Sequence, residues 1–155
     1  MDLRELTGLF RKLGAPDPEG WARSQIEENI NQLGRFLFLR QAWRLVVPPG
    51  DVTWVAHGKS IDRGPGGEIG PALTRLLSLG ANEKDLTAVV RVMQWRLLFG
   101  LCYLLSDPGD VEDEVKDLAW GLFQVDEDGQ PVASIDGLYE SVLETDPTGR
   151  KMTPE

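Results

Sequence analysis

The chain has 155 residues, one cysteine, one histidine and a formal net charge of −9. That length suits one domain able to bury about two thirds of its unfolded surface unaided, and a lone cysteine excludes an intramolecular disulfide and fits a reducing compartment, so a cytoplasmic protein is expected. The charge is regional, because residues 1–106 carry 11 acids and 13 bases whereas residues 107–146 carry 13 acids against Lys116 alone, a field that opposes nucleic acid and anionic membranes.

The N-terminal stretch is charged and amphipathic and does not read as a secretory signal. Leu3, Leu6, Phe10 and Leu13 recur at helical spacing, which predicts a short helix that Gly14 ends in a left-handed conformation. Asp17-Pro18 is a start signal, a capping carboxylate before a proline at the first helical position. The next break is Pro48-Pro49, so one long helix of roughly 30 residues is expected, bent near Gly34. Its stripe Ala22, Ile26, Ile30, Leu33 and Leu37 gives way to Phe36, Leu39, Trp43 and Val46, as if the helix changed neighbours midway.

Gly50-Asp51 opens a short helical turn through Trp54, and residues 57–70, with five glycines, read as a loop. Gly58-Lys59-Ser60 resembles the end of a phosphate-binding loop, but the first glycine of that pattern would fall on Thr53 and the glycines from Gly64 break any following helix, so a nucleotide site is not expected. Residues 72–79 form a short helix with Leu73, Leu76 and Leu77 buried, closed by Gly80.

Residues 82–106 are the most apolar stretch. Asn82 caps the start, with Asp85 placed to reach back to the cap. Leu86, Val90, Met93, Leu97 and Leu104 repeat at helical spacing beside a polar stripe of Lys84, Thr87, Arg91 and Gln94. The uncharged run Leu97 to Leu105 is far shorter than the roughly 20 residues of a membrane span, so this is expected to be the central, most buried helix, with Cys102 a core thiol. Asp107-Pro108 repeats the start signal, and Val111, Val115, Leu118 and Leu122 predict a helix under an acidic surface. Residues 121–135 have an Asp128-Gly129 turn between two short apolar runs, hence at most a small β-hairpin. Asp126 and Asp128 invite a calcium loop, but its glutamate would fall on Gly137. Leu138, Val142 and Leu143 suggest a last short helix ended by Asp146-Pro147, and residues 147–155 a loose tail.

The expected fold is mainly α, a single-domain helical bundle around the helix at about 82–106. It joins a slightly basic helical core, 1–106, to an acidic segment, 107–146. No nucleophile and base are spaced to nominate a catalytic site, Cys102 with His57 is too thin a set for zinc, and no cofactor is implied. Two functional readings compete. In the first the chain is a non-catalytic protein-binding module of inhibitor, immunity or adaptor type that offers Asp110, Glu112, Asp113, Glu114, Asp117, Asp126 and Asp128 to a basic protein. The second is a small enzyme or anionic-ligand binder built on Arg40, Arg44 and Arg96, three arginines on stripes that should be apolar. Their structural interpretation is pairing with acids of 107–146. Five tryptophans are mostly core, with Trp95 beside the polar stripe.

Overall fold

The computed structural model describes residues 1–149 except Pro108, Asp110 and Val111; the tail from Arg150 lies outside it. The fold is mainly α, and its described residues include seven α-helices and one two-stranded antiparallel sheet. The chain divides into two compact units, Met1–Arg44 with Leu98–Glu155, and Leu45–Leu97.

The first unit begins with α1 (Leu3–Leu13), which carries a complete capping box between Asp2 and Glu5 and ends on Gly14 at φ 82°. Helix α2 (Pro18–Glu27) is capped by Asp17, whose Oδ1 accepts from Gly20 N at 3.0 Å. The expected 30-residue helix is broken here. Asn29 adopts φ 56°, and Asn31 caps a new helix, α3 (Gln32–Trp43), by accepting from Gly34 N at 3.0 Å. Asparagine tolerates the left-handed region and is a strong N-cap, so two of them one residue apart make a corner without glycine or proline. Gln25 and Gln32 close that corner: Gln25 Oε1 accepts from Leu33 N, and Gln32 Nε2 donates to Ser24 Oγ, both at 2.8 Å.

The core of this unit is Leu6, Phe10, Ala15, Trp21, Ala22 and Phe36. The rings of Phe10, Trp21 and Phe36 meet at centroid distances of 5.5–6.0 Å with tilted or edge-on geometry, the arrangement that ring quadrupoles favour. Past the acidic stretch, β1 (Phe123–Val125) pairs with β2 (Pro131–Ser134), Phe123 opposite Ser134, with an irregularity between Gln124 and Val125. Helix α7 (Leu138–Ser141) follows and buries Leu138, and Val142 just beyond it is buried too. Trp43 Nε1 donates to Val142 O at 2.9 Å, tying the end of α3 to this turn.

The second unit contains α4 (Thr53–Lys59), α5 (Ile69–Ser78) and the first two thirds of α6 (Glu83–Ser106), which continues into the first unit. Helix α4 runs past Trp54 and takes in His57, Gly58 and Lys59, which were expected in the loop. Here two glycines permit close packing. A Cβ on Gly70 would lie 2.6 Å from Ile61 O, and one on Gly58 2.8 Å from Leu73 Cδ1. Leu73 is buried as expected, but Leu76 is exposed.

Helix α6 forms where the sequence places it, yet it is not the most buried element. Val89, Met93 and Leu97 are 63, 60 and 63% exposed, and Leu101 and Leu104 are also open. Its inward side in the second unit is the polar stripe. Thr87 is buried, its hydroxyl donating to Asp51 O at 2.8 Å and accepting from Trp54 Nε1 at 2.9 Å. Gln94 Oε1 accepts from Val47 N at 2.8 Å, and Arg91 Nη1 donates to Val47 O at 2.9 Å. Residues 47–51 are extended or turning backbone without a sheet or helix to satisfy them, so the stripe supplies what secondary structure does not. By length and composition alone α6 is also apolar enough to cross a membrane.

Candidate functional site

Residues 112–122 of the acidic segment are irregular rather than helical. A single 3-10 turn, Asp113–Val115, stands where a full helix was expected; Val111 lies outside the described residues, and Val115 and Leu118 of the expected buried stripe are exposed. Five carboxylates fall in residues 110–117, where like charges three and four residues apart disfavour a helix, and Val115 and Leu118 gain no burial to offset them. The segment is held at one end by Trp120, whose Nε1 donates to Leu104 O at 2.6 Å in the last turn of α6.

Glu112, Asp113, Glu114, Asp117, Asp126 and Asp128 are all exposed, and none joins an ion pair among the described residues; Asp110 lies outside the described residues. Asp126 has a local role. Its Oδ1 accepts from Asp128 N at 3.0 Å and Gln130 N at 2.9 Å, and Gly129 turns at φ 78°. The pattern that suggested calcium is therefore the wrapping of a hairpin turn, and no group of three potential metal ligands occurs among the described residues.

Arg40, Arg44 and Arg96, expected to pair with acids of 107–146 or alternatively to form an anion site together, join no ion pair among the described residues and share no partner. Arg40 is half-buried, its Nη1 donates to Leu13 O at 3.2 Å, and its guanidinium carbon lies 5.9 Å from the Phe36 ring centre. Arg44 is exposed and donates to Gln41 Oε1 at 2.9 Å. Arg96 belongs to the other unit, is exposed on the outward side of α6, and has no carboxylate within ion-pair reach among the described residues.

The arginine that does reach the acidic region is Arg35. It is buried in α3; its Nε donates to Asp136 O at 2.8 Å, and its Nη1 lies 3.5 Å from Ser141 Oγ and 3.7 Å from Glu140 Oε2. Gly137, at φ 62°, lets the chain pass so close that a Cβ there would be 2.4 Å from Arg35 Nη2. A stripe read backwards from Trp43 and Leu39 lands on Arg35 and Gln32, both buried, so the signal was present. Arg35 is among the residues lining an open groove of about 950 Å³ between the α2–α3 corner and the hairpin, with Asn29, Asn31, Gln124, Tyr139 and Glu140 around it. The guanidinium is already engaged by Asp136 O and faced by Glu140, so it offers no uncompensated charge to an anion.

Gly58-Lys59-Ser60 ends α4 and follows no strand. Gly58 is there for packing against Leu73. Cys102 is buried and free of any disulfide among the described residues, and burial pushes its thiol up to about 11. That makes it a poor nucleophile at neutral pH. Compared with known protein families, curated proteins and solved structures, the chain matches none.

Proposed function

We propose that the chain is a non-catalytic protein-binding module that presents its acidic segment, centred on residues 112–117 and continued by the turn at 126–128, to a cationic protein. One observation carries this: every described carboxylate in those stretches is exposed, and none is neutralised by an ion pair among the described residues. Such a field accelerates encounter with a basic surface and is weakened by salt over a length of about 8 Å at physiological ionic strength. Nothing further is asked of the scaffold than a stable helical support, with Trp120 and the hairpin anchoring the two ends of the acidic stretch.

The test compares proteins retained from native lysate by the wild-type chain and by a variant with Asp113, Glu114 and Asp117 replaced by lysine. A basic protein bound by the wild type should associate at least about tenfold more slowly with the variant, and lose affinity as salt rises. Retention indifferent to both the replacements and the salt overturns the proposal.

A further inference from the structure

The outward side of α6 carries a seam that its own unit does not use. Asp85, Val89, Val92 and Arg96 follow one another at alternating steps of four and three residues, the spacing of a coiled-coil seam. All four are exposed, and neither Asp85 nor Arg96 has an ion-pair partner among the described residues. The continuation of the same seam, Phe99 and Tyr103, meets the ring of Tyr139 at 6.5 and 5.2 Å. The unused part therefore ends at Arg96.

We propose that a second copy of this chain docks antiparallel on the first part of α6, with Asp85 of each copy paired to Arg96 of the other. In a two-fold antiparallel pair the register that sets Asp85 against Arg96 also sets Val89 against Val92, so two valine layers lie between two ion pairs. The charges select this arrangement. A parallel pair stacks Asp85 on Asp85 and Arg96 on Arg96, and sliding the antiparallel pair by half a heptad sets Arg96 on Val89, or Asp85 on Val92 in the other direction, with both charges unmatched. Ala88 and Met93, also exposed, flank the seam. Two valine layers between two ion pairs make a contact smaller than the roughly 800 Å² per partner of a standard interface, so a weak, concentration-dependent dimer is expected. A bilayer fits less well, since it would have to accept Asp85 and Arg96 without a counter-charge.

Sedimentation velocity of the full chain from about 1 to 200 μM reads the outcome. The wild type should pass from monomer to dimer across that range. Asp85→Arg or Arg96→Asp alone should weaken association about tenfold or more, and the double exchange should restore it to within about threefold. Val89→Asp, which leaves the helix start untouched, should also weaken it, and circular dichroism confirms that each variant keeps its helix. A chain monomeric throughout overturns the proposal, including one that binds neutral phosphatidylcholine vesicles or a foreign helix through this face. So does a dimer that the single exchanges leave unchanged, or one that the double exchange fails to restore.

Discussion

Helix α3 turns Phe36, Leu39 and Trp43 inward and buries Arg35 among them, whereas α6 turns Thr87, Arg91 and Gln94 inward and leaves Val89, Met93 and Leu97 outside. The difference lies in what each helix packs against. α3 meets the side chains of α1, α2 and α7, where apolar area decides orientation, although Arg35 is admitted because Asp136 O, Ser141 and Glu140 receive it. The first part of α6 turns its polar stripe to the backbone of residues 47–51 and to the indole of Trp54. Leaving that backbone's N–H and C=O groups buried and unbonded costs about 1–3 kcal/mol each, enough to turn a polar stripe inward against the hydropathy of the rest.

The largest effect that separates the two helices is truncation of an inward ring against truncation of an outward leucine. Phe36→Ala should cost about 3–5 kcal/mol, because the ring is almost fully buried against Phe10 and Trp21. Leu97→Ala should cost within about 0.5 kcal/mol, as for other surface changes. Urea denaturation followed by circular dichroism measures both. A loss of several kcal/mol at Leu97 would break the comparison, since it would mean that this side of α6 is covered in solution.

A smaller effect sharpens it from the polar side. Thr87→Val keeps the shape but removes the hydroxyl that donates to Asp51 O and accepts from Trp54 Nε1. Both partners are left short of a bond in a partly buried place, so the variant should lose about 1–3 kcal/mol despite keeping its methyl contacts. If the variant is as stable as the wild type, the polar stripe is not what holds α6 to residues 47–51.

Most of the fold was legible in local signals: Gly14 and Asp17 act as stop and start, Asn82 Oδ1 accepts from Lys84 N at 2.8 Å, and the Asp128-Gly129 turn sits in a hairpin. These are choices made within a few residues, where sequence and backbone are directly coupled. What was not legible depended on distant partners. The orientation of α6 is set by residues 47–51, some 40 positions earlier in the chain, and hydropathy alone assigned it the opposite side. The corner at Asn29 and Asn31 was missed because the apolar stripe runs through it. For the acids the sequence carried composition but not conformation, and the irregular path of residues 112–122 follows from the lack of any packing surface for Val115 and Leu118. Arg40 and Arg44 shared a stripe on paper, but breaking the long helix between Glu27 and Gln32 shifted the inward side to Arg35.

The last test concerns the one buried group of α6 that sequence and structure place alike. Cys102 sits in the part of the helix that belongs to the first unit, is almost fully buried, and keeps its proton up to about 11 because a buried thiolate loses its hydration, against an ordinary value of 9.0. The unfolded chain therefore releases this proton first. Between about pH 9 and about pH 11 the unfolded state binds fewer protons than the folded one, so stability falls as pH rises through that window and is unaffected below it. The slope from one proton cannot exceed about 1.4 kcal/mol per pH unit. Lysines and tyrosines titrate nearby, so the measurement is a difference: urea midpoints of the wild type and Cys102→Ala, taken from pH 7 to 11. The gap between them should be constant to about pH 9 and then narrow, as the wild type alone loses the contribution of the buried thiol. A gap that stays constant to pH 11 would mean that the thiol ionises as readily in the folded chain as in the unfolded one, and that this end of α6 is as open as the other.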